Sequence, residues 1–125
     1  LWLAHEAGGA SGPDKQNLQV LPGQSMLFST NNGLAHTRYW AKMHCDADGH
    51  ECLLGGSGGP GQVCVRETES GLADYSHCAP FVDSKFEASF GITGMPCVPS
   101  AGFTEGCDHI LSGVVSGYTL PFRLD

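Results

Sequence analysis

Thr37-Arg38-Tyr39-Trp40-Ala41-Lys42-Met43-His44-Cys45-Asp46 is the stretch whose reading decides the fold. Its side chains alternate, with Tyr39, Ala41 and Met43 on one side and Arg38, Trp40, Lys42 and His44 on the other. A period of two marks a strand. The run ends at a cysteine and leads towards Cys52–Gly61, where Gly55, Gly56, Gly58, Gly59 and Gly61 crowd together. Only disulfides or close backbone packing keep so glycine-rich a segment ordered. Trp40 then has two readings: packed under that loop, or exposed with Arg38 and Lys42 on a surface that touches a partner.

Working outward, Leu1 to Ala4 is the apolar tail of a strand and Gly8 to Asp14 a loop. Asn17 to Leu21 alternates, with Leu18, Val20 or Leu21 for burial. Pro22-Gly23 turns the chain, Ser25 to Thr30 reads as a second strand, and Asn31-Asn32-Gly33 turns it again, as in a hairpin-like meander. Glu67 to His77 reads as polar loop. Asp83 to Phe90 reads as a strand with Phe86 and Phe90 inward, and Ile92 to Gly106 as irregular. Ile110–Val115 and Tyr118–Leu124 flank Ser116-Gly117 as two strand segments or one bulged strand. The expected fold is all-β: a flattened β-sandwich of short antiparallel strands, formed by residues 1–125 as one domain.

Composition narrows the function classes. The 125 residues include 18 Gly and 7 Pro, which disfavours long helices. Six basic against thirteen acidic residues give a net charge of −7, with no basic run, which argues against nucleic acid or an anionic membrane as partner. No apolar run approaches the roughly 18 residues of a membrane span. The start at Leu1-Trp2-Leu3, without Met, reads as a processed or partial chain.

Six cysteines in a small lysine-poor chain fit three disulfides and secretion. Cys45, Cys52, Cys64, Cys78, Cys97 and Cys107 contain no close pair of the kind zinc sites use. Of the possible pairings the local one is preferred: Cys45–Cys52, Cys64–Cys78 and Cys97–Cys107. No cofactor is expected. Asp46-Ala47-Asp48-Gly49 resembles the start of a calcium loop, but the acid needed eleven residues later is Ser57, so a solvated turn is the reading. The six histidines show neither an i,i+4 pair nor HExxH.

Five segments in order resemble the thaumatin-like family. They are Leu1-Trp2-Leu3-Ala4; Leu21-Pro22-Gly23-Gln24-Ser25; Arg38 to Cys45 with Gly49, Cys52 and Gly55 to Gly59; Ala79-Pro80 through Phe86-Glu87-Ala88-Ser89-Phe90; and Ser116-Gly117-Tyr118-Thr119-Leu120-Pro121-Phe122. Measured against the family, the first strand and everything after the last segment are missing. A family cysteine is Ser57 here, which is the reason to pair Cys64 with Cys78, while Cys97 and Cys107 staple an insertion.

The resemblance implies binding or cleavage of β-1,3-glucan in an acidic cleft. Its arginine falls on Arg38 and its glutamate on Glu87, but its next aspartates fall on Leu111 and Ser116. Glycoside hydrolysis needs two carboxyl groups about 5 to 9.5 Å apart. Asp108 lies three residues from the expected position, about 10 Å along a strand and on its other side. The implied site is a binding cleft of Arg38, Trp40, Glu87 and Asp108 with an eroded catalytic pair, and Glu87 is expected to pair with Arg38. Two functions follow: a secreted carbohydrate-binding or defence protein, or an extracellular structural protein. The second would assemble through open sheet edges with copies of itself or with a cleaved precursor segment.

Overall fold

The alternation over residues 37–42 is realised as the central strand of an antiparallel sheet. The computed structural model describes residues 1–59, 61–80, 84–113 and 118. Its strands are β1 (Trp2–Ala7), β2 (Ala10–Ser11), β3 (Leu18–Gln19), β4 (Thr37–Lys42), β5 (Arg66–Glu67), β6 (Ala73–Asp74), β7 (Lys85–Ser89) and β8 (His109–Gly113). The six-stranded principal sheet runs β2-β1-β4-β7-β8, with β3 also beside β1, and β5-β6 form a separate two-stranded ladder. The only helical turn among the described residues is a 3₁₀ turn at Pro99–Ala101. The chain is therefore all-β and antiparallel; among the described residues no second large sheet lies across the first.

Three disulfides join Cys45 to Cys52, Cys64 to Cys78 and Cys97 to Cys107. They staple a molecule whose buried apolar set is thin. Among the described residues it comprises Ala4, Trp40, Cys52, Ala88 and Cys107, whereas the largest fully buried side chains are Lys42, His5 and Thr37. So small a core gains much from cross-links that restrict the unfolded chain.

The two faces of β4 are covered differently. On one, Tyr39 packs against Phe86 (5.7 Å between ring centroids), Phe28 (4.8 Å) and His5 (5.8 Å). On the other, the glycine-rich loop lies over Trp40 and Lys42. Trp40 is 3 % exposed, and its Nε1 donates to Gly55 O at 2.8 Å. Gly55 is required there: its φ is +77°, and a Cβ would stand 2.2 Å from Ala41 O. Beyond Lys42 the ladder stops, and Met43 makes only a single bridge to Leu54.

Several expectations need correction. The first strand continues past Ala4 to Ala7. Ser25–Thr30 is no strand, because β2 and β3 already fill the outer side of β1; Leu27 is 95 % exposed and only Phe28 turns inward. Leu18 and Val20 are half-buried, and Leu21 is exposed. The polar stretch 67–77 contains part of the β5–β6 hairpin, closed by a turn in which Gly71 N donates to Thr68 O. Asp83, Val114–Val115 and the expected strand 119–124 lie outside the described residues.

Candidate functional site

Register builds one cross-strand row on the face that carries Trp40. Glu6 of β1 stands opposite Arg38 of β4, Arg38 opposite Glu87 of β7, and Glu87 opposite Leu111 of β8. Residues directly opposed in antiparallel strands have Cβ atoms about 5 Å apart, within reach of long side chains. Arg38 Nη1 donates to Glu6 Oε1 at 2.9 Å and Arg38 Nε to Glu87 Oε1 at 3.1 Å. The row is open to solvent at its centre, where the Arg38 side chain is 46 % exposed and that of Glu87 34 %. Glu6 is more enclosed, at 14 %.

Beside the row is a shallow depression of about 150 Å³, bordered by His36, Arg38, Glu87, Ser89, His109 and Leu111. His36 holds a left-handed backbone (φ 54°), uncommon for a side chain with a Cβ. Its amide donates to Ser89 Oγ at 3.0 Å, and its carbonyl accepts from Gly8 N at 3.1 Å. These bonds fix a strained residue at the rim of the depression.

The four residues expected to bind carbohydrate separate into two groups. Arg38 and Glu87 meet, as the resemblance implied. Trp40 does not reach the surface: the loop covers it, and the Lys85 ammonium lies 5.3 Å from its ring centroid. It lies beside the row, under the glycine-rich loop, and offers no stacking platform. Asp108 is also elsewhere. Its Oδ1 accepts from Gly91 N at 2.8 Å, closing the foot of the Cys97–Cys107 loop, while the register puts Leu111 across from Glu87. Ser116, the other position matched to an aspartate, lies outside the described residues.

Glu6 was missed because the first strand was ended too early. The signal was present, since running residues 2–7 antiparallel to 37–42 brings Glu6 onto Arg38. Also unread was a buried node at the covered end of the face. There Lys42 Nζ donates to Asn17 Oδ1, Gly49 O and, at 3.1 Å, Gln62 Oε1. Burial lowers this ammonium to about 8 from 10.5, opposed in part by Asp46.

The Asp46 turn is closed on itself. Asp46 Oδ1 accepts from Asp48 N at 3.0 Å and His50 N at 2.7 Å, and these backbone bonds, led by that from His50, hold its carboxyl below the usual range. Among the described residues no group of three or more His, Cys, Asp or Glu is placed to hold a metal.

Comparison with protein-family models, curated proteins and solved structures finds no match in any of the three. The thaumatin-like resemblance therefore rests on the five segments alone.

Proposed function

We propose that the chain is an extracellular carbohydrate-binding module of thaumatin-like type, with β-1,3-glucan as its ligand class, and that it binds without cleaving. The observation that supports this is the solvent-facing row in which Glu6 and Glu87 flank Arg38. Two acceptors around one planar donor, on the rigid centre of a sheet, suit the vicinal hydroxyls of a sugar, which donate to carboxylates and accept from a guanidinium. Three disulfides fit an oxidising compartment.

Hydrolysis does not fit the same row. A general acid must present a proton to the glycosidic oxygen while a second carboxylate attacks or activates water. Here Glu6 and Glu87 each bond to Arg38, and the strand beyond Glu87 contributes Leu111.

The test is retention on insoluble β-1,3-glucan, with cellulose and chitin as comparators and reducing ends measured in the supernatant. Retention on the glucan without release of reducing ends is expected, falling at least about tenfold in Arg38→Ala and Glu87→Ala, a loss of about 1.4 kcal/mol. Wild-type protein that stays in solution, or variants retained as well as wild type, would reject the reading.

A further inference from the structure

Charge is distributed unevenly over this molecule. Residues 16–37 contain no Asp, Glu, Lys or Arg, and residues 88–113 contain only Glu105 and Asp108. Together they hold two of the thirteen acidic residues and none of the six basic ones. The two stretches are neighbours in the fold: Phe90 N donates to Leu34 O at 2.8 Å and Thr93 N to Asn32 Oδ1 at 2.7 Å. They make one charge-poor sector, with Glu105 and Asp108 as its only charged residues, on a chain of net charge −7.

The sector also carries exposed apolar side chains. The loop between β7 and β8 is closed by Cys97–Cys107, a Val98–Phe103 bridge and the bond from Ile92 N to Glu105 O. Ile92, Met95, Val98 and Phe103 are all exposed on this stapled loop, and Leu27 is exposed on the neighbouring stretch. Local hydrogen bonds and a disulfide fix the loop, so its apolar side chains are presented by a preformed element.

Next to the loop runs β8, His-Ile-Leu-Ser-Gly. It pairs with β7 on one side, and among the described residues no strand lies on its other edge. Sheet edges are commonly blunted by lysine, proline, an inward charge or a bulge. β8 has no lysine, proline or acidic residue, and its pairing with β7 is continuous over five residues. Ile110 and Leu111, which point to opposite faces, are each about half exposed.

We propose that two copies of this chain associate about a two-fold axis through β8, with the two β8 strands antiparallel. Charge is the reason to choose a second copy as the occupant. Two molecules of net charge −7 repel, and they approach most easily where each has least charge to present, here only Glu105 and Asp108. The strand is also compatible with itself. With the axis at Leu111, Leu111 faces its counterpart, Ile110 faces Ser112 and His109 faces Gly113, so no charged side chain opposes a like one. Antiparallel docking brings each stapled loop towards the Ser112–Gly113 end of the other copy's β8. This association needs no saccharide, although its axis residue Leu111 also borders the depression beside Arg38 and Glu87.

Sedimentation velocity on the intact, oxidised chain across a wide concentration range is the test, combined with hydrogen exchange of residues 109–113. A concentration-dependent monomer–dimer equilibrium is expected, with those amides slowing as the dimer forms. Leu111→Lys, at a half-exposed position, sets two ammonium groups against each other on the axis and should weaken the dimer at least about tenfold. Leu111→Cys should give a disulfide-linked dimer under mild oxidation, because directly opposed residues lie within disulfide range. Ile110→Cys, facing serine, should not. A monomer at every concentration with β8 amides already protected would mean that the chain's own residues cover the edge, and would overturn the proposal. So would a dimer that neither Leu111→Lys weakens nor Leu111→Cys links.

Discussion

Lys42 is the largest side chain fully withdrawn from solvent among the described residues. It joins three separate loops by donating to Asn17, Gly49 and Gln62. Burial penalises the charged form, and the resulting shift to about 8 has a direct consequence for stability. From about pH 8 the folded ammonium releases its proton, while the unfolded chain keeps it until about 10.5. In that interval the unfolded state binds more protons, so stability rises with pH. Tyr39 works in the opposite sense above 10.0, because burial first and Asp14 second raise its phenol; the stability of its neutral form is lost as pH climbs through the folded value. Thermal melts between pH 8 and 10 should therefore show a rising Tm. Gln62→Glu places a carboxylate where Oε1 now sits 3.1 Å from Nζ, which favours the charged amine and should flatten the rise. An unchanged slope in that variant would assign the rise to another group.

At the scale of elements, the strand and its lid depend on each other. Trp40 fills the space beneath the loop and bonds Gly55 O, and Gly55 can lie against β4 only because it has no Cβ. Trp40→Ala should cost about 3–5 kcal/mol in urea unfolding. Trp40→Phe keeps most of the ring but leaves the Gly55 carbonyl buried without its donor, for about 1–3 kcal/mol. Equal stability of the Phe variant and wild type would show that the indole N–H contributes nothing. This pair of contacts also explains what was legible in the sequence. The alternation of 37–42 is local, so β4 and its faces could be read directly, while the Arg38–Glu87 pairing was implied by the family resemblance. Packing of Trp40 under the loop was one of two open readings and the burial of Lys42 was not read at all, because both depend on a glycine-rich loop returning from ten or more residues away. His5 and Glu6 are polar, and the apolar reading of the first strand stops before them at Ala4. His5 is buried by long-range bonds, its amide donating to Gln16 Oε1 and its Nε2 lying 2.9 Å from Lys15 O, which no local pattern announces. Ser25–Thr30 failed in the opposite way: its composition suits a strand, but the sheet has no vacant edge beside β1 to receive it.

At the scale of the molecule, the separation of charge from the 16–37 and 88–113 sector makes a prediction about salt. Most acidic residues lie outside the proposed interface, so each copy feels the other's charge through solvent, without ion pairs across the contact. Raising the ionic strength from about 0.01 M to about 0.1 M shortens the screening length from about 30 Å to about 10 Å. Repulsion between two chains of net charge −7 then fades, while the largely apolar contact of β8 and the stapled loop is left intact. Self-association measured by sedimentation should tighten several-fold over that range. Contacts made by opposite charges behave in reverse, because salt weakens attraction as readily as repulsion. A dimer that loosens with added salt would place its interface on the charged side of the molecule and remove the charge-poor sector from consideration. A dimer that tightens would separate assembly from the Glu6–Arg38–Glu87 row, where salt acts directly on the ion pairs and should weaken them.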